Sequence, residues 1–235
     1  MSIHHNQFVE EIVERYLTIR GQWAARDDSV ELVLERLMRT FAFLGAVAPE
    51  EWSRWYRSFK SIADRKKGPT FVSHDASLVE DLIRKSPIGG LKRSPDLLLG
   101  YLVSMNAGPV RDKPKMREHS VILLQCCSKT GPYAGYDRFN LDFPLAEYGH
   151  HLYEETVVVN VLKSLSQIWD PDWMSAYTSA SFDFGTPLFS GDARLGWITY
   201  LSVPWIYCQK CLLAGSGKFT QWPNLGYEPG DLRTR

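Results

Sequence analysis

Gln167-Ile168-Trp169-Asp170-Pro171-Asp172-Trp173 closes a helical pattern, turns sharply and opens a strand. Downstream, Gly196-Trp197-Ile198-Thr199-Tyr200-Leu201 adds a second aromatic strand. The Asp-Pro-Asp centre is turn chemistry, because proline fixes φ and lacks a donor while aspartate stabilises bends through its own side chain. The seven residues from Gln167 to Trp173 and the later strand supply large aromatics but no nucleophile, general base or metal-ligand set. Tryptophan and tyrosine are the side chains most enriched in recognition surfaces, so the pattern points to a binder before an enzyme.

Working outward, Glu154 to Trp169 carries Val157, Val158, Val161, Leu162, Leu165, Ile168 and Trp169 at helical spacing, which predicts one apolar face. Its β-branched content lowers intrinsic propensity, so burial must hold it. Tyr16 to Trp23 alternates as a strand, with Tyr16, Thr18 and Arg20 opposite Leu17 and Ile19. Asp27-Asp28-Ser29 offers N-caps ahead of Val30, Val33, Leu34, Leu37, Met38, Phe41 and Leu44, a helix that Gly45 and Pro49 should end. Trp52, Trp55, Tyr56 and Phe59 suit either a short helix or an extended edge. Arg65 to Pro69 reads as a basic turn. Ala76 to Lys85 reads as a short helix with Leu78, Val79, Leu82 and Ile83 inward. Leu97 to Met105, Val121 to Cys127 and Phe139 to Phe143 are strand-like runs separated by Gly and Pro, as in an antiparallel meander. Trp173 to Ser179 and Leu195 to Ser202 extend it. From Val203 the periodicity fails among repeated Gly and Pro, which predicts an irregular, partly mobile tail. The expectation is α+β: a single domain over residues 1–202, a largely antiparallel β-sheet with two long helices packed on it, and an irregular C-terminal tail over 203–235.

Composition narrows function. The chain has 235 residues, 44% of them apolar, and 27 basic residues balance 27 acidic ones. Zero formal charge gives no global field toward nucleic acid or an anionic membrane. No apolar run approaches the roughly 20 residues that cross a bilayer, and the opening MSIHHNQFVE lacks a secretory pattern. A cytoplasmic location is expected, and four sparse cysteines fit a reducing compartment. Cys126 and Cys127 read as buried thiols, and Cys208-x-x-Cys211 lacks the second ligand pair a metal site needs.

Chemical motifs are weak. On a continuous helix His150 would face Glu154 and His151 would face Glu155, an arrangement suited to metal ligation or acid-base work. That cluster defines the alternative reading, a small metal-dependent hydrolase; solvated helix-entry residues are the simpler account. Gly215-Ser216-Gly217-Lys218 fails the phosphate-loop pattern, because Leu212 and Phe219 occupy the required Gly and Ser/Thr places. Trp23, Trp169 and Trp197 lie on predicted apolar faces and should be core. Trp52, Trp55 and Tyr56, interleaved with Arg54 and Arg57, have the mixture of a contact surface.

Taken in order, the strand Tyr16 to Trp23, the helix from Ser29, Trp55-Tyr56, Trp169-Asp170-Pro171-Asp172-Trp173 and Gly196-Trp197 with Thr199-Tyr200-Leu201 resemble the immunity protein 52 family of bacterial polymorphic toxin systems. The likeness spans about Tyr16 to Ser202. It implies a cytoplasmic α+β protein that binds and neutralises a toxin encoded beside it, often a restriction-endonuclease-like DNase and commonly delivered by type VI secretion. It implies no catalysis and no cofactor. Members usually continue after the Thr-Tyr-Leu strand with a further strand and a closing helix; here a Cys- and Gly-rich tail follows, leaving an edge where a second copy, as a homodimer, or the toxin would dock. Toxin-binding candidates are Trp52, Arg54, Trp55, Tyr56, Arg57, Asp170 and Asp172. Acidic groups that would imitate DNA charge toward a nuclease include Asp170, Asp172, Glu50, Glu51, Asp27 and Asp28, which are equally plain helix caps and turn residues. A non-catalytic assembly adaptor is a third reading.

Overall fold

Ser29 starts the first long helix as its pattern requires: its hydroxyl accepts the Leu32 N–H at 3.2 Å. The computed structural model describes residues 16–24, 26, 28–59, 68–88, 100–109, 118–126, 136–178, 198–201 and 219–221. Helix α1 (Val30–Val47) buries Val33, Leu37, Thr40, Phe41 and Leu44. It runs through Gly45 and stops at Ala48, because Pro49 opens a separate turn of helix, α2 (Pro49–Trp52). Gly45 was expected to end α1 but lies inside it. The aromatic stretch that suited either helix or strand is both, since α2 ends at Trp52 and edge strand β2 spans Trp55–Arg57.

Helix α3 (Ala76–Arg84) is capped by Asp75, whose carboxylate accepts the N–H groups of Ser77 and Leu78 at 2.9 and 3.2 Å. It buries Val79, Leu82 and Ile83, whereas Leu78, expected inward, sits in the capped first turn and stays 37% exposed. The meander follows as β3 (Tyr101–Ala107), β4 (Ser120–Cys126) and β5 (Tyr136–Asp142). A short helix α4 (Ala146–Gly149) and a 3-10 turn (His150–Tyr153) lead into the second long helix, α5 (Glu155–Trp169). Strands β6 (Trp173–Thr178), β7 (Ile198–Leu201) and, within the tail, β8 (Phe219–Gln221) complete the described elements. Trp197, Cys127, Cys208 and Cys211 lie outside the described residues.

The eight strands form one antiparallel sheet in the order β2-β3-β4-β5-β1-β6-β7-β8, where β1 is Leu17–Ala24. The tail left open how the late edge of the sheet is covered; β8 pairs along β7. The first strand is thus central, between β5 and β6, and is buried from Leu17 to Trp23. Alternation sends Leu17, Ile19 and Trp23 to the helix-covered face, together with Ile122, Leu124, Phe139, Leu141, Met174 and Ala176. Gly21 shares that face because a Cβ there would stand 2.5 Å from Met174 Cε. α1, α3 and α5 contribute Leu37, Leu44, Val79, Ile83, Val161 and Leu165 to the same core.

Trp169 ties the layers together. Its ring stacks on Trp23 at 5.8 Å and on Phe139 at 5.3 Å, and its indole N–H donates to Thr40 Oγ1 at 3.1 Å. One side chain at the end of α5 therefore locks β1, β5 and α1.

Candidate functional site

The aromatic candidates around β2 divide between core and edge. Trp52 and Trp55 are fully buried; the Trp52 indole donates to Ser120 Oγ at 2.7 Å and meets Phe143 edge-on at 5.2 Å, and Trp55 stacks on Phe41 at 5.9 Å. Neither presents its ring to solvent. Tyr56 points to the opposite side of the strand, where Phe59, Phe71 and His119 surround its ring. Arg54 is exposed and lies 3.9 Å over the Phe71 ring, a cation-π contact that orients it at the sheet edge. Arg57, half-buried, follows on the helical side of β2. Periodicity missed the split because two helix-like residues and two strand-like residues share one short stretch.

Asp170 and Asp172 form a structural corner. Asp170 has φ 47°, the left-handed position that ends α5, and its N–H bonds Ser166 O at 2.9 Å. Arg26 donates to the carbonyls of Trp169 and Asp170, closing the helix end, and lies over the Trp23 ring. Asp172 N–H donates to Gln22 O at 3.0 Å while its carboxylate accepts Ala24 N–H at 2.7 Å, clamping the start of β6 to the end of β1. The exposed Asp170 carboxylate still faces outward, at 75% exposure. Burial raises the Tyr200 phenol above its usual range, and Asp170 and Asp172 add to the rise. Of the other acidic candidates, Asp28 is paired with Arg36 at 2.6 Å, Glu51 approaches His151 Nε2 at 3.2 Å, Glu50 is exposed, and Asp27 lies outside the described residues.

The histidine cluster does not sit on a continuous helix. His150 and His151 occupy the 3-10 turn, Glu154 is extended at φ −60° and ψ 135°, and α5 begins only at Glu155. The expected pairing of His150 with Glu154 and His151 with Glu155 is therefore broken by backbone geometry. Among the described residues no three His, Cys, Asp or Glu side chains are grouped to hold a metal ion.

The sheet face opposite the helices is the feature the sequence did not display. Its strand register lays side chains in three rows. One row runs Asn106, Val121, Asp142, Thr18, Tyr177; the next Ser104, Leu123, Asn140, Arg20, Ser175, Thr199; the third Leu102, Gln125, Arg138, Gln22, Trp173. None of these residues belongs to the hydrophobic core shared by the helices. The β1 and β6 positions are buried, whereas Leu102 is 44% exposed and Ser104, Asn106, Val121, Leu123, Arg138, Asn140 and Asp142 are half-buried. Thr18 Oγ1 donates to Asp142 Oδ1 at 2.8 Å, and Arg138 Nε donates to Gln125 Oε1 at 3.0 Å. Among the described residues, Gln22 Oε1, Asn140 Oδ1 and Trp173 Nε1 make no hydrogen bond. Burial raises the Tyr177 phenol, opposed by the Arg20 guanidinium beside it. The accessible part of this face lies on β3, β4 and β5, where exposed Leu102 and half-buried Leu123, Val121, Arg138, Asn140 and Asp142 mix apolar, guanidinium, amide and carboxylate groups as recognition surfaces do. The signal in the sequence was the polar alternate positions of β1 and β5, but only the register brings them together.

Comparisons with known proteins place these features. The family described as immunity protein 52 matches residues 16–207. No curated protein matches the chain in sequence. Among solved structures, the Pseudomonas aeruginosa T6SS protein PA0821 is similar at 12% identity with a TM-score of 0.49, covering 82% of this chain and 59% of that one. The family match takes in β1, both long helices, the Asp-Pro-Asp corner and the strands through β7, and on that basis the chain belongs to the immunity protein 52 family.

Proposed function

We propose that this protein neutralises a cognate toxin by binding it, and that the toxin is a restriction-endonuclease-like DNase delivered by type VI secretion. The match of an immunity family to residues 16–207 carries this reading. A fold whose tryptophans Trp52, Trp55 and Trp169 are packed inside agrees with a rigid platform that acts through its surface. Among the described residues no helix is long and apolar enough to cross a membrane, which suits action in the cytoplasm where a DNase finds its substrate.

Neutralisation in the producing cell demands tight association, on the order of nanomolar, or about 12 kcal/mol. Of the proposed contact residues, Arg54 and Asp170 are exposed, Arg57 and Asp172 half-buried and Tyr56 buried, so direct contact is assigned first to Arg54 and Asp170. Trp52 and Trp55 support β2 from within. The reading is tested by mixing the purified chain with the toxin encoded beside it. A stable complex and loss of DNA cleavage are expected, with DNA untouched by this protein alone. Failure of the two to co-elute at micromolar concentration rejects it.

A further inference from the structure

Building on the toxin-binding reading, we infer that the toxin docks on the sheet face opposite the long helices, over β3, β4 and β5, and meets it with acidic and apolar side chains. The occupant is set by what this face offers. Leu102 is the most exposed large hydrophobic among the described residues, at 44%. Through the register it neighbours Gln125, and Leu123 and Val121 follow at successive same-face positions of β4. Side chains so placed lie about 5–8 Å apart, so the three form one apolar strip. No described helix covers it.

Polar groups rim that strip. Arg138 spends one N–H on Gln125, and among the described residues its guanidinium forms no ion pair. The carboxylate on its own strand, Asp142, already accepts from Thr18. A half-buried cation in the same row as exposed Leu102, one row from half-buried Leu123, complements a carboxylate flanked by apolar side chains. It does not imitate nucleic acid. Of the acidic residues that would do so, Asp28 is engaged by Arg36, Asp172 by the Ala24 N–H and Glu51 by His151, while Glu50 and Asp170 are exposed. The inhibitor thus grips the protein of the toxin, and the polarity is opposite to charge mimicry. Tyr56, 4% exposed beneath Phe59, Phe71 and His119, closes the row beside Asn106.

The test is calorimetric titration of a catalytically inactive form of the neighbour-encoded toxin into wild-type chain, Arg138→Glu, Arg138→Lys, Leu102→Asp and, on the helical side, Leu78→Asp. Each variant's fold is checked by circular dichroism. Arg138→Glu and Leu102→Asp are each expected to weaken binding by at least about 30-fold, Arg138→Lys by less, and Leu78→Asp not at all. A photo-crosslinker at Leu102, but not at Leu78, is expected to capture the toxin. Binding by the wild type with no loss in Arg138→Glu and Leu102→Asp, or capture at Leu78 alone, overturns this inference while leaving the toxin reading intact. No binding by the wild type rejects both. Should Leu102→Asp split a dimer of the chain while toxin affinity holds, the occupant is a second copy and the inference falls.

Discussion

Replacement of Trp52 separates a packing role from a contact role. The side chain is 0% exposed, its indole donates to Ser120 Oγ at 2.7 Å, and its ring meets Phe143 at 78°. Truncation to Ala removes a buried aromatic, which costs about 3–5 kcal/mol with the cavity it leaves. Ser120, itself 1% exposed, loses its donor, adding about 1 kcal/mol. The sum, about 4–6 kcal/mol, rivals the whole stability of an ordinary domain, roughly 5–15 kcal/mol. Trp52→Phe keeps a ring against Phe143 and forfeits the hydrogen bond and some volume, about 1–2 kcal/mol. Urea unfolding followed by circular dichroism reads both as midpoint shifts at constant slope. Toxin affinity of Trp52→Phe, measured on folded protein, should equal that of wild type. A Trp52→Ala protein as stable as wild type that nevertheless loses the toxin would refute the packing argument and return Trp52 to the contact surface.

Three further outcomes follow from the same geometry. Gly21→Ala meets only the flexible end of Met174, Cε at 2.5 Å, with the next atoms at 3.6 Å, so a loss below about 1 kcal/mol is expected in urea unfolding, and a loss above about 2 kcal/mol would show that the packed methionine cannot swing aside. Asp172→Ala removes the acceptor of the Ala24 N–H and should lower stability by about 1 kcal/mol, with Asp172→Asn recovering part of it. The pH dependence has a definite sign at the alkaline end. The folded-state Tyr177 phenol is raised, chiefly by burial, above its ordinary value of 10.0. Its neutral form is therefore favoured by folding, and that contribution is full below the unfolded value and declines as pH rises beyond it. Tyr177→Phe should flatten the alkaline limb of a stability-versus-pH curve; an unchanged limb would show that Tyr177 does not carry it.

Elements whose apolar positions repeat at a single period were legible in the chain. Val30 to Leu44 and Val157 to Trp169 gave both long helices because one face of each is buried and the other wet. The meander was legible because Gly and Pro punctuate the strands. Gly45 misled because tertiary packing of α1 against the Ser53 backbone outweighs its helix-breaking tendency. Trp52 to Arg57 did not resolve, since α2 and β2 are each shorter than one period of evidence for either state. The His150 cluster read as a potential site only while a continuous helix was assumed, and the extended Glu154 removes that premise. The sheet face opposite the long helices was not legible at all. Arg20, Asn140, Leu123 and Ser175 are scattered over more than half the chain, and only cross-strand register makes them neighbours.

The account rests on inhibition by occupancy, which a titration of the toxin's DNA cleavage against this chain tests most directly. Cleavage should fall in proportion to added chain and reach zero at one equivalent, with activity returning when the complex is dissociated. Persistence of cleavage at excess chain, or irreversible loss of toxin activity at a small fraction of one equivalent, would contradict it.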